Sequence, residues 1–82
     1  MSFYGIKIGD EAVWGARFGR RLKDIIADKN LKIPDIAEKM NVTTTMIYSY
    51  MHGNTIPNYY KMCRLADALG CDLSYLVDIS LD

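Results

Sequence analysis

The chain has 82 residues, which leaves room for one small domain with a modest core. Half of its residues are apolar and 24% are charged, a composition typical of a folded domain and not of a disordered chain. No apolar run reaches the roughly 18 residues of a membrane span, and no signal peptide is recognisable. The two cysteines, Cys63 and Cys71, are too few for a disulfide framework or a zinc site, so free thiols in a reducing cytoplasm are expected.

The net charge of zero hides an uneven distribution of charge along the sequence. Residues 1–64 contain all ten lysines and arginines and six acidic residues, whereas residues 65–82 contain four aspartates and no base. The densest basic segment lies at 17–23 and contains Arg17, Arg20, Arg21 and Lys23. This segment fits a solvated helix face as well as it fits contacts to phosphate.

The first predicted elements are an extended arm and a long helix. Residues 1–9 alternate loosely in polarity and fit either a short strand or an arm. A helix is predicted from about Glu11 to Lys29, with Asp10 as its N-cap and Asn30 at a left-handed stop. The apolar stripe of this helix consists of Trp14, Phe18, Leu22, Ile25 and Ile26. Trp14, together with Phe3 and Tyr4, either covers the core or lies in a subunit contact. Gly15 and Gly19 are expected to cost up to ~1 kcal/mol each relative to alanine.

Four shorter helices follow at residues 34–40, 44–52, 59–69 and 73–77. Their expected N-caps are Thr43, Asn58 and Asp72, and their expected stops are Asn41, Gly53 and Gly70. The apolar positions of the fourth helix are Tyr59, Met62, Cys63, Leu65, Ala66 and Leu69. Five helices with tight connections predict an all-α domain spanning 11–78, preceded by the arm at 1–10 and followed by a tail at 79–82.

The second and third helices have the features of a helix-turn-helix. Ala37 is small enough for a close helix crossing, and Asn41 tolerates the left-handed backbone of the turn at 41–43. The apolar residues that are expected to hold both helices against the core are Ile36, Met40, Val42 and Ile47.

The third helix has two contrasting faces. At 100° per residue, Met46, Ile47, Tyr50 and Met51 share one face, and the opposite face carries Thr44, Thr45, Tyr48, Ser49 and His52. This second face is polar but carries no charged side chain. Short hydroxyl side chains suit a close approach to another surface, since serine and threonine hydrogen-bond several base edges and a threonine methyl packs on thymine.

Residues 18–77 resemble the lambda-repressor-like, Cro-type (XRE) helix-turn-helix family. The matching features are Leu22, Leu31, IAEKMNV at 36–42, Thr43, Ile47, Gly53, Pro57, and LADALG at 65–70 followed by DLSYL. The resemblance implies a compact five-helix domain that binds duplex DNA as a dimer, with the third helix in the major groove. It also implies base contacts by Thr44, Thr45 and Ser49, with Tyr48 beside them. The backbone-facing positions that it implies are Lys32, Ile33, Thr43 and residues 52–55, which include His52, Asn54 and Thr55.

The sequence departs from the family pattern at three places. Lys32-Ile33 stands where the family often has Ser-Gln, which replaces a phosphate-binding amide by an aliphatic side chain. Ile26 and Met51 stand where many members have a paired Arg and Glu. The third helix has no Arg, Gln or Asn, the residues best suited to bidentate base contacts.

Several of these residues also have a purely structural interpretation. Residues 43–45 then form an ordinary N-cap and first turn, Tyr48 is an exposed aromatic, and His52 is favoured at a helix C-terminus by the dipole. Cys63 is expected in the core, and Cys71 as an exposed or half-buried thiol.

The predicted function is that of a small cytoplasmic transcription regulator, repressor-like and of phage or mobile-element type, that acts as a homodimer on double-stranded DNA. The candidate dimer surfaces are the N-terminal arm and the acidic C-terminal helix with Tyr75, Ile79 and Leu81, and the acidic tail is also a candidate docking site for a regulatory protein. The alternative is a protein-interaction module that keeps the fold without DNA recognition, favoured by Tyr48, Tyr50 and Met51. One histidine, no cysteine–histidine pair at a useful spacing and no glycine-rich phosphate loop argue against an enzyme, and no metal or cofactor site is predicted.

Overall fold

The computed structural model describes residues 10–78, so the expectations for residues 1–9 and for the tail at 79–82 fall outside it. The described residues form five α-helices and no strand: α1 (Asp10–Asp28), α2 (Ile33–Met40), α3 (Thr44–Met51), α4 (Tyr59–Leu69) and α5 (Leu73–Leu76). The all-α prediction is confirmed, and helix ends differ from the predicted ones by a single residue. α1 begins at Asp10, so the expected N-cap is instead the first helical residue.

The residues expected to end the helices adopt the left-handed backbone that this role requires. Asn30 and Asn41 have φ values of 54° and 58°, and Gly53 and Gly70 have values of 76° and 72°. At the end of α2, the amides of Asn41 and Val42 donate to the carbonyls of Glu38 and Ala37, at 3.1 and 3.0 Å. These bonds satisfy carbonyls that would otherwise lack partners at the end of the helix. Asp72 occupies the N-cap of α5 but makes no side-chain capping bond.

All five helices contribute side chains to one core. Its largest fully buried members are Tyr50, Phe18, Leu22, Ile25, Ile36, Ile47, Leu65, Leu69 and Leu76. Trp14 lies partly buried against this core and stacks on Phe18, with ring centroids 5.2 Å apart, so it covers the core within the chain.

The expectation for the first turn of α4 is wrong at Tyr59, which is 77% exposed. The buried stripe of α4 is centred between Met62 and Leu65, and at 100° per residue Tyr59 lies about a quarter-turn from that centre. Cys63 lies farther round the helix and is half-buried, not a core residue. Ala68, on the other flank, is buried instead.

Gly15 and Gly19 lie in close contact with the backbone at the end of α3, so they have a packing role besides their low helix propensity. A Cβ on Gly19 would lie 2.9 Å from the carbonyl oxygen of Tyr50 and closer still to that of Met51. A Cβ on Gly15 would lie 3.2 Å from the carbonyl oxygen of Gly53. The two glycines therefore let α1 pack directly on the backbone at the end of α3.

Two basic side chains, one on α1 and one just after its end, bind the C-terminal part of the domain. Both Nε and Nη2 of Arg21 donate to the carbonyl of Tyr75, at 3.0 and 2.8 Å, and the guanidinium lies 4.3 Å from the centre of the Tyr75 ring. Lys29 Nζ donates to the carbonyl of Gly70 at 2.8 Å. Arg21 in the basic segment at 17–23 is thus occupied within the fold, whereas Arg20 and Lys23 are exposed.

Candidate nucleic-acid interface

The turn between α2 and α3 fixes the position of α3. Ile36, Ala37 and Met40 on α2 are buried, as is Ile47 on α3, and Val42 in the turn packs partly buried against the same core. The small side chain of Ala37 is 4% exposed, in agreement with its expected place in the helix–helix contact. The apolar side of α3 is held by the core, and its other side faces away from the core.

The N-terminus of α3 has a side-chain cap. Thr43 Oγ1 accepts a hydrogen bond from the Met46 amide at 3.2 Å, and the Thr43 carbonyl accepts from the amides of Met46 and Ile47. The predicted cap is therefore confirmed. The amides of Thr44 and Thr45 come before the first intrahelical donor and lie at the positive end of the helix dipole, a position that suits an anion.

The outward face of α3 is exposed and uncharged. Thr44, Thr45 and His52 are exposed, and 47% of the Tyr48 surface is accessible. The rings of Tyr48 and His52 lie one turn apart, with centroids separated by 6.3 Å and planes tilted by 32°. All four side chains are therefore accessible on the surface of the described part of the chain.

Ser49 differs from the other residues of this face. It is half-buried, and its Oγ lies 2.8 Å from Thr55 Oγ1, so the two hydroxyls share a hydrogen bond. The Asn54 amide also donates to the Ser49 carbonyl, at 3.0 Å. Ser49 thus connects α3 to the loop that follows it, a contact that helical periodicity alone does not predict.

The positions implied as backbone-facing lie at both ends of the helix-turn-helix. Lys32 is exposed at the N-cap of α2, with an extended backbone and no side-chain capping bond. Ile33, beside it, is partly buried against the core and offers no polar group. Asn54 and Thr55 are exposed in the loop after α3.

Arg64 on α4 holds the end of α2, a role that the sequence analysis did not assign. Its Nη2 donates to the Lys39 carbonyl and its Nη1 to the Tyr60 hydroxyl, both at 3.2 Å. The guanidinium carbon lies 5.7 Å from the centre of the Tyr60 ring. Arg64 therefore provides a donor and a positive charge to the C-terminal carbonyls of α2. The signal available in the sequence was the Tyr60–Arg64 spacing of one helical turn.

A shallow cleft of about 350 Å³ lies beside this contact. It is lined by Met40, Asn41, Val42, Tyr60, Lys61 and Arg64. Arg64 Nε is buried next to it and finds no hydrogen-bond partner among the described residues.

Two other properties of residues 10–78 bear on function. None of the described helices has the length and apolar character needed to cross a membrane. No group of three or more His, Cys, Asp or Glu side chains in this range is arranged to hold a metal ion.

Burial raises the pKa of the Tyr50 hydroxyl on the inward face of α3 and the pKa of the Cys71 thiol near α5.

Three solved structures of other proteins share the fold at low sequence identity. The restriction-modification controller protein C.AhdI from Aeromonas hydrophila has a TM-score of 0.70 and 21% identity, over 74% of this chain and 92% of its own. The clp gene regulator ClgR from C. glutamicum has a TM-score of 0.75 and 18% identity, over 84% of this chain and 96% of its own. An HTH_3 family transcriptional regulator from Vibrio cholerae has a TM-score of 0.75 and 16% identity, over 83% of this chain but 38% of its own.

Sequence comparison gives the family directly. No curated protein matches the chain. The family model HTH_3, described as helix-turn-helix, matches residues 22–76, from the middle of α1 to the end of α5. This match covers more than half of the chain, which therefore belongs to the helix-turn-helix family HTH_3, a family of DNA-binding transcriptional regulators.

Proposed function

We propose that the protein is a sequence-specific regulator of transcription that inserts residues 44–52 into the major groove of duplex DNA. The exposed, uncharged face of α3 is the observation that carries this proposal. Its inward face is fixed by Ile47 and Tyr50, so the outward side chains have a defined direction. The major groove is about 12 Å wide and admits a single α-helix. Thr44, Thr45, Tyr48 and Ser49 are the proposed base-contacting residues.

Phosphate contacts would fix the orientation of α3 on the duplex. Lys32 provides a cation at the start of α2, and Thr43, His52, Asn54 and Thr55 provide polar groups around α3. The unpaired amides at the N-termini of α2 and α3 also suit phosphate oxygens. Since α3 carries no charge, these groups supply most of the electrostatic attraction.

A homodimer is the proposed binding unit. One uncharged α3 makes few strong contacts, and a second copy doubles them on half-sites about 10 bp apart. We propose that the dimer acts as a repressor by blocking transcription when it occupies such a site. Two of the structural neighbours are a restriction-modification controller protein and a clp gene regulator, which supports a regulatory role.

Selection of duplexes from a random pool, followed by fluorescence anisotropy titration, tests the proposal. We expect enrichment of one sequence, and binding whose log K falls by about 0.9 per neutralised phosphate as log salt concentration rises. An absence of enriched duplexes, together with an absence of binding at low salt, would refute DNA recognition.

A pair of charge-matched variants tests the role of α3. Thr45→Glu places a carboxylate on the outward face, and we expect it to abolish binding of the selected duplex. Ala27→Glu adds the same charge at an exposed position in the last turn of α1, away from the glycine contacts with α3. It is expected to leave binding within a few-fold of the wild-type value. Equal losses in the two variants would mean that α3 does not enter the groove.

One observation favours a protein partner as a second candidate function. Tyr59 and Tyr60 are adjacent at the start of α4 and are 77% and 64% exposed, and exposed tyrosines are common in protein interfaces. Affinity purification that recovers a defined protein, lost in Tyr59→Ser and retained in Thr45→Glu, would support this function. If the same protein preparation enriches no duplex, the interaction-module alternative replaces DNA recognition.

A further inference from the structure

We infer that α3 recognises A·T-rich half-sites mainly through the C5-methyl groups of thymine, and that Thr44, Thr45 and Tyr48 provide the contact surface. This inference rests on the proposed function and specifies the class of DNA sequence that it recognises.

The groups missing from the outward face of α3 exclude the strongest alternatives. Guanine is recognised best by a bidentate Arg or Lys, and adenine by the amide of Asn or Gln. Residues 44–52 contain none of these side chains. Lys32, the nearest cation assigned to the interface, lies at the end of α2 away from the turn, where it suits a phosphate better than a base edge.

The hydrogen bond between Ser49 and Thr55 further reduces the number of hydrogen bonds that this face can offer to base edges. Ser49 is half-buried, and one of its hydrogen-bonding directions is used within the chain at 2.8 Å. A hydroxyl held in this way has less freedom to turn toward a base edge. Ser49 is therefore expected to contribute less to base contacts than Thr44, Thr45 and Tyr48, and it also positions the loop at 52–55 against α3.

The remaining exposed side chains present substantial apolar surface. Thr44 and Thr45 each carry a γ-methyl beside the hydroxyl, and Tyr48 exposes nearly half of its surface. Its ring is accompanied by the His52 ring one turn later, which limits the orientations open to Tyr48. In the major groove, thymine presents a C5-methyl group that the other bases lack. Thymine-rich edges are thus the complementary partner for this set of side chains.

Modified bases in the selected duplex test the inference. Replacing thymidine by deoxyuridine in a half-site removes only the methyl group, and we expect affinity to fall about fourfold for each methyl contacted, the value of one buried carbon. Replacing deoxyguanosine by 7-deazadeoxyguanosine removes the N7 acceptor, and we expect affinity to stay within twofold. Unchanged binding to the deoxyuridine duplex, or a large loss with the 7-deaza duplex, would overturn the inference while leaving DNA binding established.

The double variant Thr44→Ser/Thr45→Ser identifies the protein side of the contact. It keeps both hydroxyls and removes both methyl groups at exposed positions, so its thermal midpoint should match that of the wild type. We expect it to bind the thymidine duplex more weakly and to lose the part of the deoxyuridine penalty that the two threonine methyl groups account for, while Tyr48 keeps the rest. If the full deoxyuridine penalty persists in this variant and in Tyr48→Ser, α3 does not read the methyl groups. If selection enriches no duplex at all, the proposed function fails, and this inference fails with it.

Discussion

Gly19→Ala is expected to destabilise the protein even though alanine is the better helix former. Gly19 lies in the middle of α1, where replacement of glycine by alanine in an isolated helix would gain about 1 kcal/mol. In the folded protein the new Cβ would lie 2.9 Å from the Tyr50 carbonyl oxygen and closer still to that of Met51. Both oxygens belong to the backbone at the end of α3, so no flexible side chain can move aside.

The size of the effect follows from the opposing terms. Overpacking of a well-packed site costs about 1–3 kcal/mol in stability. A Cβ that meets the backbone of a fixed helix is expected to cost at least the upper value of this range. After the gain in helix propensity, we expect a net loss of about 2 kcal/mol. For a domain of this size, each kcal/mol lowers the thermal midpoint by about 4–8 °C. The expected decrease is therefore about 8–16 °C.

Gly15→Ala is the matched control, one turn earlier on the same face of α1. Its Cβ would meet the Gly53 carbonyl oxygen at 3.2 Å and two carbons of the Ile56 side chain at 3.5 and 3.6 Å. The Ile56 contacts are ordinary van der Waals distances, and the Gly53 carbonyl needs to shift by only a few tenths of an ångström, so we expect a change within about 1 kcal/mol of zero. Urea unfolding and thermal melts followed by circular dichroism measure both variants. A Gly19→Ala protein as stable as wild type, or no less stable than Gly15→Ala, would refute the close backbone contact.

Substitutions at three further sites test a helix cap, a hydrogen bond and the burial of a hydroxyl. Thr43→Ala should lower the free energy of unfolding by about 1 kcal/mol because the Met46 amide loses its cap, and Thr43→Ser should restore most of it; equal stability of the two in urea melts would exclude capping. Arg64→Met keeps the aliphatic stem but removes the donor to the Lys39 carbonyl, and a loss of about 1 kcal/mol is expected in the same assay, with no loss if that bond is unimportant. Burial raises the pKa of the Tyr50 hydroxyl above the ordinary tyrosine value of 10.0, so ionisation favours the unfolded chain. Stability should thus be unaffected by this group below pH 10 and should fall as the pH rises further, less steeply in Tyr50→Phe; identical alkaline transitions would contradict this cause.

Helix ends and the inward side of α3 were predictable because local physics determines them. Thr43 and Asn58 are short polar residues that accept a bond from an amide three residues later, and both do so. Asn30 and Asn41 tolerate positive φ, and both adopt it. The spacing of Ile47 and Tyr50 within one helical turn was sufficient to place them on the buried side.

The errors lie where the outcome depends on a second element that periodicity does not contain. Gly15 and Gly19 looked like weak points in α1 because helix propensity takes no account of the α3 backbone packed against them. Tyr59 lies at the flank of an apolar stripe, and its burial depends on whether another helix covers that flank. The sequence alone gives the direction of a side chain around its own helix. It does not give how much of that side chain a neighbouring helix covers.

The candidate site likewise has features that the sequence predicts and features that depend on tertiary packing. The exposure of Thr44, Thr45 and Tyr48 follows from the helical repeat, so these positions were available from the sequence. The hydrogen bond between Ser49 and Thr55 depends on the path of the loop after α3. The contact between Arg64 and the Lys39 carbonyl depends on the packing of α4 against α2. The first contact changes the role expected of Ser49, the second gives Arg64 a role that was not predicted, and neither changes the apolar pattern.

The contacts made by α3 and its neighbouring turns suggest why an uncharged helix is compatible with specific binding. Its C-terminal backbone rests on Gly19, its following loop is tied through Ser49 to Thr55, and the end of α2 before it is held by Arg64. A helix restrained at several points loses little conformational entropy on binding. The binding free energy of its weak contacts is therefore not offset by the cost of ordering the helix. Methyl and hydroxyl contacts of modest strength are useful for recognition only on such a preorganised surface. For this reason, substitutions at Gly19 are expected to weaken DNA binding in protein that is still folded, although Gly19 itself lies on the far side of α3 from the proposed groove contacts.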